Sequence, residues 1–389
     1  MKKAVMIGAG QIGRGFIGML LEQAGYHVVF ADINTDVIND INTRKEYTVH
    51  LVDTECLDTT VRNISAISSL SPALIEEYAA CSLICTSVGL TAFPKIAPAL
   101  AKGIALRQAR GEESELNIIA CENGLNGTTR LKKLIYDCLN ATEREYADRM
   151  VGFPNCAVDR IIPPAKGLAA AETVVERYHE WDVERGGFKG EIPNIPGMDV
   201  VDDLSAYVER KLFTLNGPNA VTGCYGFLKG YKTVNESLLD PEIYTVVYGM
   251  MEEVGRMLEK RHGFSAEQMQ TYRDALIRRF ENPYIIDDCT RVAREPIRKL
   301  SPDDRIIAPL TYAQQYGLET KYYYTGIAAI LLYDNPQDEQ SQRIQELLRG
   351  SGLRKTMETI SEIPQDSETA EQIEREYVRL KALYGSQRS

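Results

Sequence analysis

The sequence predicts an α/β protein, with an N-terminal doubly wound parallel sheet followed by a mainly α-helical C-terminal domain. A strand, a glycine-rich turn, a helix and a second strand succeed one another over residues 3–31. Short apolar runs then alternate with helical stretches as far as about residue 162. Beyond about residue 200 the apolar residues recur mainly with helical spacing. Alternating strands and helices are typical of a parallel sheet, and the later helices then form a second domain.

The opening unit carries most of this prediction. Residues 3–7 (KAVMI) and 27–31 (HVVFA) are short apolar runs typical of buried strands. Between them, helical spacing continues as far as Gly25, which is a common helix stop. The residues with that spacing are Ile12, Phe16, Met19 and Leu20. The strand–helix–strand order predicts a parallel, right-handed unit.

Further strands and the domain boundary follow from the next part of the chain. The runs that predict strands of the same sheet are 82–87, 116–121 and 157–162. Prolines and glycines then interrupt residues 163–200, which indicates a change of domain. We therefore place an α/β domain at residues 1–192 and a helical domain at residues 193–389.

Helical periodicity dominates the second domain. It predicts helices over residues 202–215, 241–261, 266–281, 303–316, 320–333 and 340–350. A last helix has one apolar face formed by Ile373, Tyr377, Leu380 and Tyr384. Thr369 and Gln372 have the spacing of a capping box at its start.

Composition limits the functional classes. A chain of 389 residues, 44% hydrophobic and 25% charged, has the make-up of a soluble two-domain protein. The net charge of −11 argues against general binding to nucleic acid or anionic membranes. No apolar run approaches the roughly 20 residues of a membrane span, and glycines interrupt the N-terminal apolar stretch too early for a signal peptide. The eight cysteines show no paired framework, which favours reduced thiols and a cytoplasmic location.

Residues 8–13 (GAGQIG) match the G-x-G-x-x-G pattern of dinucleotide-binding turns, between a predicted strand and a predicted helix. Gly8 would allow the tight turn, Gly10 the approach of a pyrophosphate, and Gly13 the close packing of helix on sheet. Asp32, at the end of the second strand, would accept hydrogen bonds from ribose hydroxyls and repel a 2′-phosphate, so NAD is favoured over NADP. The predicted cofactor contacts are Gly8, Gly10, Gln11, Ile12, Gly13, Arg14 and Asp32, with Arg14 near the pyrophosphate. The alternative is a glycine-rich turn that binds no ligand.

A dinucleotide domain joined to a helical domain suggests hydride transfer, which needs a group that exchanges a proton with the substrate. A catalytic zinc requires about three His, Cys or carboxylate ligands. The chain has only 4 histidines and no C-x-x-C, and Cys81 and Cys85 are better explained as core thiols. A Tyr-x-x-x-Lys dyad is the second option, but its matches are barely above chance. These matches are Tyr207/Lys211, Tyr225/Lys229 and Tyr377/Lys381.

A lone lysine is the third option. Desolvation can lower the pKa of a lysine until it serves as a general base, and asparagine amides can stabilise the alkoxide that forms. In KLFTLNGPNA (211–220), Lys211 lies in an apolar segment, and Lys211, Asn216 and Asn219 fall within an arc of about 140° on a helical wheel. The alternative is a lysine that reaches into solvent beside an Asn-Gly-Pro turn.

Several segments together resemble the polyol-specific long-chain dehydrogenase/reductase family, over most of the chain. These segments are GAGQIGRGFIG (8–18), FADIN (30–34), LNIIACEN (116–123), AVDRIIP (157–163), FKGEIPNIPGM (188–198), ERKLFTLN (209–216), RFENPY (279–284) and RKLSPDDR (298–305). The resemblance implies a Rossmann-type domain followed by an α-helical domain, and metal-independent catalysis by lysine. It implies hydride transfer between NAD and a phosphorylated polyol, with D-mannitol 1-phosphate and D-fructose 6-phosphate as the reacting pair.

The resemblance also implies roles for individual residues. Lys211 matches the general acid/base, and Asn216 the amide that polarises the reacting oxygen. Asn123 matches a second amide at that oxygen, with a contact to the nicotinamide side of the cofactor. Asp159 matches a carboxylate that tunes or orients the lysine. The alternative for Asp159 is a structural partner of Arg160.

One position departs from the family pattern. A histidine is expected three residues after Asn216, and this chain has Asn219 there, preceded by Gly217-Pro218 in place of Thr-Gly. Asparagine can bind a substrate hydroxyl, but it does not titrate near neutral pH. Two alternatives therefore stay open: an enzyme for another polyol phosphate or a uronate, and a catalytically silent protein that binds NAD and a sugar phosphate. Pro218 is also expected to break or bend the helix.

The phosphate of such a substrate needs cations. Arg291, Arg294 and Arg298 recur at helical spacing, with Lys299 and Arg305 nearby. This basic stripe predicts substrate contacts from Arg294, Arg298, Lys299 and Arg305. The alternative is a solvated, salt-bridged helix face.

Overall fold

The structure, a computed structural model, describes residues 2–385 and divides the chain into two compact units, residues 1–207 and 208–389. The first unit contains the sheets, and the second is helical. The predicted fold class, a doubly wound sheet followed by a mainly α-helical domain, is confirmed. Across residues 2–385, no helix combines the length and the apolar character that a membrane crossing needs.

The strands of the first unit are β1 (Lys3–Ile7), β2 (His27–Asp32), β3 (Tyr47–Val52), β4 (Leu57–Val61), β5 (Ile64–Ser68), β6 (Leu83–Thr86), β7 (Leu116–Ala120), β8 (Val151–Gly152), β9 (Cys156–Asp159), β10 (Thr173–Glu176), β11 (Glu180–Glu184) and β12 (Asp199–Val201). Its helices are α1 (Met19–Gln23), α2 (Thr35–Arg44), α3 (Leu74–Ala80), α4 (Phe93–Ala109), α5 (Gly127–Asp137), α6 (Ala141–Met150) and the start of α7 (Leu204–Arg210). Two 3₁₀ turns cover Leu90–Ala92 and Arg185–Gly187.

The main sheet has six strands in the order β5-β2-β1-β6-β7-β8, all parallel. Residues of β1 alternate between two cores: Ala4 and Met6 belong to one cluster, and Val5 and Ile7 to the other. Burial on both faces explains why the strand is a continuous apolar run. The strand order reverses between β1 and β6, and this position is where open α/β sheets bind ligands, beyond the carboxyl ends of the strands.

The unit also has two small sheets of three strands each, with the strand orders β10-β3-β4 and β12-β11-β9. The prediction that residues 157–162 add a strand to the main sheet is wrong, because β9 pairs antiparallel with β11 and the short β8 takes the outer place. The first unit also extends beyond the predicted boundary at residue 192, because β12 pairs with β11.

The second unit consists of helices. They are α8 (Gly217–Lys229), α9 (Val234–Leu238), α10 (Pro241–His262), α11 (Ala266–Phe280), α12 (Cys289–Ala293), α13 (Pro296–Lys299), α14 (Ile307–Gln315), α15 (Lys321–Leu331), α16 (Glu339–Ser351), α17 (Leu353–Ser361) and α18 (Glu368–Tyr384). α15 packs against α8, α10 and α18 and forms the centre of the unit. The capping box predicted at Thr369 is wrong, because Ser367 caps α18 by accepting the Ala370 N–H at 3.1 Å.

Glu253 is a buried carboxylate at this centre. It lies on α10 and is 1% exposed, and both of its oxygens accept the Tyr322 N–H at the start of α15, at 3.1 and 3.2 Å. Burial raises the pKa of Glu253 to about 7, against the opposing effects of the backbone N–H groups and of Arg256.

The stability of the protein should therefore fall as the pH rises from 4.5 to about 7, because the folded state keeps a proton on Glu253 that the unfolded state releases. The difference is on the order of 3 kcal/mol. Glu253→Gln cannot titrate, so its melting temperature should fall by several degrees less than that of the wild type between pH 5 and pH 8. Thermal unfolding followed by circular dichroism measures both. Glu252→Gln, on the half-buried neighbour, is the control and should follow the wild type; equal behaviour of the two variants would contradict the assignment.

Candidate functional site

The turn after β1 brings a helix close to the end of that strand. Gly8 has a φ of +94°, and a Cβ there would lie 2.5 Å from the carbonyl oxygen of Ser87. A Cβ on Gly13 would overlap the carbonyl oxygen of Gly8. The helix therefore packs against the strand end only because these positions lack side chains. A Cβ on Gly10 would meet no atom within 4 Å, so this part of the turn faces open space.

The helix begins beside that open space. Gln11 is exposed and Ile12 is half-buried, and a π-helical turn, Gly13–Gly18, follows with all of its residues buried. The first turn of a helix leaves backbone N–H groups without intrahelical acceptors. Such groups, together with the helix dipole, favour an anion such as a pyrophosphate.

Arg14 points into the unit. Its guanidinium is buried and donates to three backbone carbonyls: from Nε to Ala171 at 2.9 Å, from Nη2 to Glu172 at 3.3 Å, and from Nη1 to Ala9. Burial lowers the pKa of Arg14. This placement differs from the predicted contact with a pyrophosphate, because the carbonyls occupy the guanidinium inside the unit. Arg14 ties the glycine turn to residues 171–172.

Asp32 ends β2 and is bonded to the glycine turn. Its Oδ2 accepts the Ala9 N–H at 2.5 Å, and its Oδ1 accepts the Asn34 N–H at 2.8 Å. Each carboxylate oxygen can accept a further hydrogen bond. The side chain is half-buried, so ribose hydroxyls could still reach it.

Asn123 and Glu122 follow β7, at the edge of the sheet where β1 and β6 also end. Asn123 is exposed, whereas Glu122 is buried. Glu122 Oε1 accepts the Thr86 hydroxyl at 2.8 Å and the Val88 N–H at 2.9 Å, and Oε2 accepts the Gly89 N–H at 2.9 Å. This carboxylate therefore holds the segment that leaves β6.

Asp159 lies at the end of β9 and is half-buried, in the small sheet and not in the main one. The neighbouring Arg160 is buried and donates from Nε to the Glu176 carbonyl at 2.8 Å and from Nη1 to the Gly15 carbonyl at 3.1 Å. Like Arg14, Arg160 thus holds the π-helical turn that follows the glycines.

The predicted catalytic lysine lies at the start of a second π-helical turn, Lys211–Asn216. The Gly217 N–H donates to the carbonyl of Leu212, five residues earlier. Because residues five apart are one turn apart in this geometry, Lys211 and Asn216 lie on one side of the helix. Both are half-buried, and the three residues 213–215 between them are buried.

Asn219 follows Asn216 at a spacing of three residues in α8, which keeps it on a neighbouring position of the same surface. It is half-buried, and its Oδ1 is buried without a hydrogen-bond partner among residues 2–385. The predicted break at Pro218 is wrong: the backbone stays helical, with φ −65° and ψ −62° at Gly217. Pro218 directly follows the π-helical turn, and the widened turn accommodates a residue that has no backbone N–H.

The predicted basic stripe does not form one helix face. α12 and α13 are separate short helices, and Glu295 between them has a φ of +61°. Arg298 is exposed and pairs with Glu295 at 2.8 Å and with Asp304 at 3.4 Å. This pairing matches the alternative of a salt-bridged face.

Lys299 is buried beneath that face. Its Nζ donates to the Val292 carbonyl at 2.6 Å and to the Arg294 carbonyl. Burial lowers the pKa of Lys299 to about 8. The Lys299 amine thus bonds to carbonyl groups at the end of α12, whereas the Arg294 side chain is exposed.

Arg305 is the basic residue that lies next to the helix carrying Lys211. A Cβ on Gly217 would lie 2.7 Å from the Arg305 carbonyl oxygen, so the two backbones touch. The side chain is half-buried, and its Nε donates to Asp304 at 2.7 Å. In the second unit the structure thus brings together Lys211, Asn216, Asn219 and the backbone of Arg305.

Cys81 and Cys85 of the first unit are structural. Across residues 2–385, no group of three or more His, Cys, Asp or Glu side chains could hold a metal ion. Cys81 and Cys85 are buried, and burial raises the pKa of Cys81 to about 12. Both are core thiols, as the sequence predicted.

The sequence did not predict the hydrogen bonds of Glu122 or the contact between Arg305 and Gly217. Glu122 could have been noticed, because a carboxylate directly after the apolar run LNIIAC must find donors if it is buried. The approach of Arg305 to Gly217 gives no sequence signal, because it joins backbone atoms of residues far apart in the chain.

The chain matches two families over nearly its whole length. Residues 2–197 match the Mannitol dehydrogenase Rossmann domain, and residues 203–381 match the Mannitol dehydrogenase C-terminal domain. Among solved structures, it is similar to a D-sorbitol dehydrogenase in substrate-free form, with a TM-score of 0.79 and 16% identity, over 98% of this chain and 92% of that chain. It is also similar to the Pseudomonas fluorescens mannitol 2-dehydrogenase ternary complex with NAD and D-mannitol, with a TM-score of 0.65 and 18% identity, over 99% of this chain and 94% of that chain. At such identities the likeness shows the fold.

The glycine turn predicts opposite outcomes for two similar substitutions. Gly13→Ala should lower the melting temperature, because its Cβ would overlap the Gly8 carbonyl and force the helix away from β1. Gly10→Ala should leave the melting temperature of the ligand-free protein nearly unchanged, since no atom lies within 4 Å. Differential scanning fluorimetry of both variants checks this. A Gly13→Ala protein as stable as the wild type would disprove the close approach.

Proposed function

The chain belongs to the mannitol dehydrogenase family, and from this we propose that it is an NAD-dependent oxidoreductase that interconverts D-mannitol 1-phosphate and D-fructose 6-phosphate, as a mannitol-1-phosphate 5-dehydrogenase does. The observation that carries the proposal is the single surface with Lys211, Asn216 and Asn219, together with the half-buried Arg305 beside it. This surface offers a proton-exchanging group, amides for an oxygen and a cation for a phosphate.

NAD is the cofactor, and it supplies the hydride acceptor when bound. The open space at Gly10 and the helix start at Gln11 and Ile12 suit its pyrophosphate. Asp32 accepts the hydroxyls of the adenosine ribose, and its charge disfavours a 2′-phosphate. Arg14 holds this turn from the interior of the unit, because its guanidinium donates to the carbonyls of Ala171, Glu172 and Ala9.

Lys211 exchanges the proton. In oxidation it takes the proton of the reacting hydroxyl, and in reduction it returns a proton to the carbonyl oxygen. The amide of Asn216 stabilises the charge that develops on that oxygen, and for Asn123 the family resemblance implies the same role. For Asp159 the family resemblance implies a role in orienting the catalytic lysine.

Arg305 is the principal phosphate contact in this proposal. Its backbone lies against Gly217, and its guanidinium can form paired hydrogen bonds to a phosphate. Arg298 pairs with Glu295, and the Lys299 amine donates to backbone carbonyls, whereas Arg294 is exposed and adds charge. Arg305 itself donates to Asp304 through Nε, so a phosphate would bind at its two terminal nitrogens. Asn219 accepts a hydroxyl of the substrate through its unpartnered Oδ1.

The second candidate is a dehydrogenase for a uronate or for another polyol phosphate. Arg305 could bind a carboxylate as well as a phosphate, and Asn219 accepts a hydroxyl without titrating. NADH oxidation with a panel of fructose 6-phosphate, fructose and uronates separates the two. Turnover of a uronate without turnover of fructose 6-phosphate would replace the first candidate by the second. Asn219→His in the same panel tests whether this position sets the choice.

Lys211→Ala should lower kcat by roughly 10²- to 10⁴-fold, because general acid–base catalysis contributes about that much. The affinity for NADH, measured by fluorescence titration, should stay at the wild-type value. Lys232→Ala is the control, because Lys232 is an exposed lysine outside the proposed site. Lys229 is less suitable, since it pairs with Asp240. A wild-type rate in Lys211→Ala at neutral pH would rule out the lysine mechanism.

Arg305→Gln should raise the KM for fructose 6-phosphate by roughly tenfold or more, because a charged hydrogen bond to the phosphate is lost. The kcat/KM for unphosphorylated fructose, which has no phosphate for Arg305 to bind, should change little. Arg298→Gln removes an exposed arginine that is already paired, and it should leave both values near those of the wild type. Equal losses with fructose and fructose 6-phosphate would show that Arg305 does not bind the phosphate. Steady-state kinetics of the two variants provide the measurement.

A further inference from the structure

The segment that leaves β6 lies between the two parts of the proposed NAD site. On one side, Ser87 contacts the glycine turn: its carbonyl oxygen would be 2.5 Å from a Cβ on Gly8, and its Oγ donates to the Gly8 carbonyl at 3.4 Å. On the other side, Leu90 packs on Gly124, where a Cβ would lie 2.7 Å from the leucine side chain. The position of this segment therefore affects both the glycine turn and the residues after β7.

Glu122 holds this segment with a buried carboxylate. Its two oxygens accept one hydroxyl and two backbone N–H groups from Thr86, Val88 and Gly89, at 2.8 to 2.9 Å. Gly89 has a φ of +83°, so the backbone turns sharply there, and the bond to its N–H fixes that turn. All three groups are donors, which means that an acceptor with full negative charge fits and an amide does not.

The place of Glu122 in the sheet indicates which part of NAD it affects. Asp32, on β2, lies in the half of the sheet that binds the adenosine end. Glu122 and Asn123 lie beyond β7, in the opposite half, which begins at β6. A dinucleotide that crosses the switch point places its nicotinamide end over this second half.

We propose that Glu122 is a positioning residue that fixes segment 86–89 and the adjacent Asn123 for the nicotinamide half of NAD. The inference rests on the proposed NAD function. Glu122 contacts neither substrate nor cofactor in this role; it acts through the backbone of residues 88–89 and through its direct neighbour in the chain. The carboxylate is required because the segment offers it only donors.

Glu122→Gln tests the inference. The amide nitrogen must face one of the three donors, so the segment should be released at Gly89 or Val88. NADH binding, followed by fluorescence titration at a temperature where the variant is folded, should weaken by roughly tenfold. Binding of AMP, which requires only the adenosine half, should stay within about twofold of the wild type, by the same arithmetic. A purely structural role would change the melting temperature and leave the NADH affinity unchanged.

Controls separate the possible outcomes. Glu253→Gln removes another buried carboxylate that accepts a backbone N–H, and its NADH affinity should equal that of the wild type. Wild-type protein that does not bind NADH would refute the proposed function itself. Wild-type protein that binds NADH, with the same affinity in Glu122→Gln, would refute only the role of Glu122. If Glu122→Gln does not fold, Thr86→Val takes its place: loss of that one donor should weaken NADH binding by roughly threefold, and an unchanged affinity would overturn the proposal.

Discussion

The contact between Gly13 and the carbonyl oxygen of Gly8 is the constraint on which the first unit depends. It leaves no room for a Cβ, so the helix after β1 starts directly above the end of that strand. This closeness points the first backbone N–H groups of the helix at the open space beside Gly10. It also brings the Ala9 N–H within 2.5 Å of Asp32, at the end of β2. A looser turn would separate the groups that suit a pyrophosphate from the group that suits a ribose.

Buried charged side chains hold the glycine turn and the helix after it from the interior of the unit. Arg14 and Arg160 are both buried, and they donate to backbone carbonyls around the π-helical turn Gly13–Gly18. Tyr47 adds a hydroxyl that donates to the Arg14 carbonyl at 2.8 Å. Glu122 carries the opposite charge and holds the segment beyond β6, because its carboxylate accepts backbone N–H groups of that segment. A buried charge that is fully hydrogen-bonded is costly to disturb, so these residues make the edge of the sheet rigid.

The sequence predicted those features whose causes are local. β1, β2, β6 and β7 are apolar runs because both faces of the sheet are buried, and the glycine turn follows from the sterics of its own residues. Features that depend on distant partners were not predictable. Arg14 resembles a ligand contact in sequence, but its Nε acceptor is Ala171, 157 residues away. The apolar run 157–162 resembles a main-sheet strand, yet β9 pairs with β11, because pairing partners are not encoded within a strand.

An α-helical wheel misplaces the side chains of segment 211–219, because residues Lys211–Asn216 form a π-helical turn. The wheel spread Lys211, Asn216 and Asn219 over a wide arc, whereas the widened turn places Lys211 and Asn216 one turn apart. The same widening lets Pro218 enter the first turn of α8 without a break. Asn219 is left with a buried acceptor, Oδ1, that has no partner among residues 2–385, and such an atom carries a desolvation cost. A ligand hydroxyl would remove that cost. Because an amide binds a hydroxyl without changing charge, the mechanism proposed for this surface assigns the proton exchange to Lys211 and only hydrogen bonding to Asn219.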